Sequence, residues 1–242
     1  MSRIFLTGDT HGSYDIHKLS SLQFPISKGL TKEDYVIILG DFGLVWDTPT
    51  SKKDEQHWLD WLSSKPWITL FIDGNHENHD RLQTLKTVAM FGSVVGQVTN
   101  SIFHLRRGHV YTINNNTFFC MGGAYSIDKL YRTPFLSWWP QEEPSYDEFA
   151  LGLKNLDGVG WRVDYILGHT GPLQVVQYLG AMVGQNFGKK EDSVNRFFES
   201  IVFGKDKVVK FKKMFFAHYH CDKEITDKYE VLYHKIKELV DA

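Results

Sequence analysis

Tyr35-Val36-Ile37-Ile38-Leu39-Gly40-Asp41 is a run of apolar side chains that stops at a glycine and a carboxylate. A short continuous apolar run closed by a turn residue is how a strand buried on both faces reads. The same ending recurs at Phe5-Leu6-Thr7-Gly8-Asp9, Leu70-Phe71-Ile72-Asp73-Gly74-Asn75-His76, Tyr165-Ile166-Leu167-Gly168-His169 and Met214-Phe215-Phe216-Ala217-His218. In open α/β folds, ligand sites gather just beyond the carboxyl ends of such strands. Asp, Asp, Asn, His and His, far apart in the chain, can thereby converge on one spot. Packing asks for no such pattern, whereas a metal site does.

Outward from these runs, the first strand reads as Arg3 to Gly8 and a helix is expected from Ser13 to about Leu22. Strands follow at Tyr35 to Gly40 and Ile68 to Ile72. Between them, Trp58, Leu59 and Leu62 stand at helical spacing in Lys53 to Leu62, and Pro66 closes the segment. A further helix is expected after Asn75-His76. Strand, helix, strand, helix, strand is a layered α/β order. Beyond Phe91 the texture changes. Ile102 to Leu105, His109 to Ile113 and Thr117 to Met121 read as an antiparallel meander with turns at Arg107-Gly108 and Asn114-Asn115-Asn116. Helices are expected at Ser145 to about Leu156, Leu173 to Met182 and Ser193 to Val202. Strands are expected at Val163 to Leu167 and Met214 to Ala217, with a closing hairpin around Asp227-Lys228. No stretch is rich enough in Pro, Gly or Ser to cut the chain, so a single domain of mixed sheets over residues 1–242 is expected.

The 242 residues are 42% hydrophobic, ample for a sizeable core, and a net charge of −2 gives no case for general nucleic-acid or membrane binding. Two cysteines, Cys120 and Cys221, make no disulfide framework and suit a reducing compartment. Cys221 follows His220 directly, so a thiolate ligand is conceivable, but an ordinary buried thiol is the simpler reading. The N-terminus enters the first strand without a basic-apolar leader, and no long apolar span follows. A soluble, cytoplasmic protein is the expectation.

The ligand candidates in order are Asp9, His11, Asp41, Asn75, His169, His218 and His220. Asp9/His11 and His218/His220 are i, i+2 pairs, which share a face on an extended backbone. Mixed carboxylate, imidazole and amide oxygen suits Mn, Fe, Zn or Co rather than Ca or Mg. Seven side chains exceed one four-coordinate ion and suit two divalent ions sharing a carboxylate. Two such ions outweigh Asp9 and Asp41 in charge, leaving a surplus that favours an anionic phosphoryl group. Taken singly, Asp9 reads as a helix N-cap and the remaining histidines, His17, His57, His79, His104, His109 and His234, as surface or satisfied core residues. The joint pattern sets the seven apart.

Gly8-Asp9-Thr10-His11, Gly40-Asp41, Gly74-Asn75-His76-Glu77, Gly168-His169 and Ala217-His218-Tyr219-His220 together resemble the signature of calcineurin-like metallophosphoesterases, in the family's order and over nearly the whole chain. The resemblance implies a four-layer α-β-β-α sandwich of two mixed sheets with helices on the outer faces. It implies hydrolysis of a phosphoester by a water activated between two divalent cations, Mn foremost. Asp9, His11, Asp41 and His220 would hold one ion, and Asp41, Asn75, His169 and His218 the other. His76, catalytic together with Asp41, would contact the phosphate with Asn75 or protonate the leaving group. Two departures stand out. Ala217 replaces the usual glycine, which matters only where φ must be positive. Gly40-Asp41-Phe42-Gly43-Leu44 lacks the second Asp and the Arg of the protein Ser/Thr phosphatase branch, which leaves the carboxylate partner of His76 open between Asp73 and Asp47.

The segment 122–144 leaves a strand through Gly122-Gly123 and carries Arg132 and the pair Trp138-Trp139. As one wall of the site it would bind phosphate through Arg132 and pack a Trp on the leaving group. Alternatively, both Trp plug the core and Arg132 pairs with Asp128 or Glu142. Lys205, Lys207, Lys210, Lys212 and Lys213 read as a solvated basic face, with a nucleic-acid track as the sharper reading. The expected partner is a small-molecule or nucleotide phosphoester, mono- or diester, with the oligomeric state open. The competing classes are a silent scaffold of the same fold and a dinuclear amidohydrolase.

Overall fold

The computed structural model describes residues 2–46, 52–188 and 192–240, with the backbone alone at 52 and 53. Its first half runs β1 (Ile4–Thr7), β2 (Tyr35–Leu39), α1 (Lys52–Ser63), β3 (Ile68–Ile72), α2 (His79–Thr84), β4 (Lys86–Met90), β5 (Ser93–Gln97) and β6 (Ile102–Leu105). The second half runs β7 (His109–Ile113), β8 (Asn116–Met121), α3 (Tyr146–Gly158), β9 (Tyr165–Gly168), α4 (Leu173–Val183), α5 (Ser193–Phe203), β10 (Lys213–Phe216), β11 (Lys223–Thr226), β12 (Tyr229–Val231) and β13 (Lys237–Leu239).

Two mixed sheets result, ordered β13-β1-β2-β3-β6-β5-β4 and β11-β12-β10-β9-β8-β7. In the first, β1, β2, β3 and β6 run parallel. In the second, β12, β10, β9 and β8 do. Alternate side chains along each parallel strand enter different cores. Leu6, Ile37, Leu39, Leu70 and Ile72 face Phe118, Cys120, Leu167 and Phe215 between the sheets. Phe5, Val36, Ile38 and Phe71 turn outward against Leu59 and Leu62 of α1 and Leu82 of α2. On the other flank, Phe119, Ile166, Met214 and Phe216 meet Val176 and Leu179 of α4 and Phe198 and Ile201 of α5. Three apolar layers therefore separate four layers of structure, helix, sheet, sheet, helix. Burial on both faces is why these strands read as unbroken apolar runs.

Several expectations are corrected. Ser13 to Leu22 is not an α-helix but turns around one short 3-10 stretch, Ile16–Leu19. There Lys18 is drawn inward onto three carbonyl oxygens and Asp15 is held on His11. The meander is also wrong. β6 pairs with β3 and β5 in the first sheet, while β7 and β8 form a hairpin in the second. Arg106-Arg107-Gly108 carries the chain from sheet to sheet, and buried Arg107 is bound to Asp73 at 2.6 Å across that crossing. The β4–β5 hairpin and β13, which pairs antiparallel with β1, were not foreseen. Among the described residues no helix is long and apolar enough to cross a membrane. Neither cysteine is in a disulfide, and Cys221 packs beside the outer core of the second sheet.

Candidate metal centre

All seven candidate ligands lie beyond the carboxyl ends of parallel strands: Asp9 and His11 after β1, Asp41 after β2, Asn75 after β3, His169 after β9, and His218 and His220 after β10. Their donor atoms fall into two groups. Asp9, His11 and His220 form one and Asp41, His169 and His218 the other, each within 4.8 Å. Asp41 stands between them, with Oδ2 3.4 Å from His11 Nε2 and Oδ1 3.3 Å from His169 Nε2. The Asn75 side-chain oxygen lies 3.1 Å from His169 Nε2, and its amide donates to Ser126.

The backbone is bent to make this possible. His11, Asp41, His218 and His220 all take positive φ, at 43°, 45°, 70° and 47°. Non-glycine residues held there carry strain that the surrounding fold must sustain, and such residues cluster at functional sites. Ala217 has no positive φ, so the missing glycine costs nothing there. Gly74 is obligatory for another reason, since a Cβ on it would lie 2.0 Å from Asp41 Oδ1.

Neighbours aim the ligands. His169 Nδ1–H donates to the Leu39 carbonyl at 2.8 Å, which leaves Nε2 facing the group. His11 Nδ1 is bound to Asp15 at 2.7 Å. Tyr233 donates to the same carboxylate and stacks on His220 at 4.8 Å. Lys18 donates to the carbonyls of Gly8, Asp9 and Tyr233, and burial pushes its ammonium down to about 8. Glu77 is fully buried and accepts from the backbone of Phe42 and Gly43. Burial, reinforced by Asp41, raises its carboxyl to about 8. Of these supports only Glu77 sat inside a recognisable motif. Lys18, Asp15 and Tyr233 carried no local signal.

Carboxylates and imidazoles at the centre shift one another. Burial works to raise the Asp9 and Asp41 carboxyls, yet the facing imidazoles hold both below the usual carboxylate range. Conversely, burial opposes charge on His11 and His169, and the carboxylates still lift them to about 9 and 10. His218 is pushed the other way, to about 3, by burial and by His169. Asp9 Oδ2 and Asp41 Oδ2 are buried and accept no hydrogen bond, although His220 Nε2 and His11 Nε2 stand 3.3 and 3.4 Å away. Buried carboxylate oxygens with no donor are costly. Such oxygens, grouped with imidazole nitrogens within 4.8 Å, fit divalent cations with mixed O and N ligation.

His76 is in neither group. Its backbone N–H donates to Asp41 Oδ1 at 2.8 Å, and its Nε2 lies 3.3 Å from an Arg132 nitrogen. A guanidinium only donates, so Nε2 accepts there. Burial, with Arg132 second among the lowering causes, pushes the imidazole below its ordinary value. Arg132 is itself gripped by both oxygens of Asp128 at 2.9 and 2.8 Å. Both readings of Arg132 therefore meet: it pairs with Asp128 and it faces the site. Asp73 is not the partner of His76, being bound to His104 and Arg107, and Asp47 lies outside the described residues. Trp139 packs no leaving group. It is buried, edge-on to Trp46, and donates to Asp80.

The lysine stretch lies near the opposite, amino end of β10. Lys207, Lys212 and Lys213 are paired with Asp157, Asp164 and Glu224. Of the histidines read as ordinary, His104 is satisfied by Asp73.

The family model described as Calcineurin-like phosphoesterase matches residues 2–222. No curated protein matches the chain significantly.

Proposed function

This chain belongs to the calcineurin-like phosphoesterases, and we propose from that premise that it hydrolyses a phosphoester on a pair of divalent cations. The observation that carries the pair is the split of six donors into two groups, with Asp41 between them. Asp9, His11 and His220 would hold one ion and Asp41, His169 and His218 the other, with Asn75 adding its oxygen to the second. When bound, such ions acidify a coordinated water and neutralise developing phosphoryl charge.

The remaining work falls to the chain. Arg132 donates to a phosphoryl oxygen, with Asp128 fixing the plane of its fork. That engagement frees His76 Nε2, which would take up the proton shed by the attacking water and pass it to the leaving oxygen. The water oxygen bonds to phosphorus, the ester P–O bond breaks, and the departing oxygen leaves as an alcohol. Lys18, Asp15 and Tyr233 hold the ligand loops still while this happens.

The test is metal analysis joined to activity. Chelator-stripped protein reloaded with Mn, Fe, Zn or Co is expected to bind two ions per chain and to hydrolyse nitrophenyl phosphoesters. Two bound ions with inertness across a broad phosphoester panel would leave the silent-scaffold reading in its place. One ion per chain would remove the pair.

A further inference from the structure

Two cavities flank the centre. The first, about 790 Å³, is lined among the described residues by Tyr14, Leu44, Trp46, Trp58 and Tyr233. The second, about 700 Å³, is lined by Tyr125, Ile127, Gln185, Asn186 and Phe187. His76 and His220 border both. The Arg132–Asp128 pair spans the divide, Arg132 on the first cavity and Asp128 on the second. A phosphorus atom held between His76 and His220 therefore faces room on two sides. A phosphomonoester has one substituent and fills one side; a phosphodiester has two.

Charge points the same way. Among the described residues lining the cavities, Arg132 is the one Lys or Arg, and Asp128 already neutralises it. Asp15, Asp54 and Glu55 line the first cavity, and Asp128 and Asp192 the second. Outside the metal centre, little among the described residues is left to offset the second charge of a monoester dianion or the run of charges on a polyphosphate or polynucleotide. A diester carries one negative charge.

Resting on the phosphoesterase reading above, we infer that the substrate is a small monoanionic phosphodiester, with one flat, apolar or aromatic arm against the Tyr14–Trp58 wall and a more polar arm against the Ile127–Asn186 wall. Water adds to phosphorus as one ester P–O bond breaks. One arm departs as an alcohol with its proton, and the other remains as the monoester.

The experiment compares bis(4-nitrophenyl) phosphate with 4-nitrophenyl phosphate on the Mn-loaded full chain, and repeats the diester with Tyr14→Ala and Ile127→Ala. Tyr14 and Ile127 are 84% and 78% exposed, so neither variant endangers folding. The diester is expected to exceed the monoester in kcat/KM by about tenfold or more, and each variant to raise the diester KM by about threefold or more, the loss of one side-chain contact in binding. A monoester preference, or a diester KM indifferent to both variants, overturns the inference while leaving the phosphoesterase reading standing. Loss of all hydrolysis with every metal tells against that reading instead.

Discussion

Single residues decide whether the centre forms. Lys18 is a lysine in the interior whose ammonium holds three carbonyl oxygens from two distant loops. Lys18→Met keeps the bulk and strands those acceptors, at about 1–3 kcal/mol for a buried polar group left unmade. The expected outcome is a lower Tm and weaker Mn binding together; unchanged Mn affinity would show that the loops hold without it. His76 supports a different prediction. His76→Gln is expected to cut kcat by roughly 10²-fold or more on alkyl esters, and by much less on nitrophenyl esters, whose leaving oxygen needs no proton. Equal losses on both would remove the proton-transfer role.

At the scale of elements, the site is built from strand ends and the tight turns that follow them. The β2 and β3 ends approach so closely that Gly74 has no room for a methyl group beside Asp41. Gly74→Ala is expected to displace Asp41 and abolish stabilisation by Mn, read as the loss of the Mn-induced rise in Tm that wild type shows. A preserved rise would mean that the turn relaxes without moving the carboxylate. α3 is a contrasting case. Ser145 and Glu148 form a reciprocal cap at its start, and neither is a candidate ligand. Ser145→Ala is expected to cost about 1 kcal/mol in urea unfolding and to leave metal content untouched.

For the whole molecule, the network behind the centre links both sheets and sets a pH dependence. Asp73 at the end of β3 binds His104 of β6 and Arg107 of the crossing. His79 lies close by with its Nε2 buried and unpartnered. Burial, then Arg107, pushes His79 to about 3 from an ordinary 6.5. Between those values the unfolded chain takes up a proton that the folded chain refuses, so His79 lowers stability as pH falls through that window. The buried Glu77, raised to about 8, acts with the opposite sign above its own unfolded value. The clean measurement is therefore a difference. His79→Leu is expected to gain on wild type as pH drops from 6.5 to 4.5, by up to about 1.4 kcal/mol per pH unit, in urea midpoints of metal-stripped protein. A constant difference across that range would show that His79 accepts its proton when folded.

The chain's own order of residues settled the strands that carry ligands and the ligand types at their ends. A strand buried on both faces must be apolar throughout, and its end must change chemistry abruptly, so Val36–Asp41 and Tyr165–His169 are legible without coordinates. The helix expected from Ser145 was legible from its local pattern too. Long-range choices were not. β6 joins β3 and β5, and the buried Arg107–Asp73 pair that follows it is announced by no sequence neighbour. Lys18 turns inward because carbonyls from Gly8 and Tyr233 meet there only after folding. Among the described residues the neighbour of His76 Nε2 is Arg132, which the packed loop after β8 brings within 3.3 Å. Local patterning is written into covalent order, whereas pairing between distant polar groups exists only once the layers have closed over them.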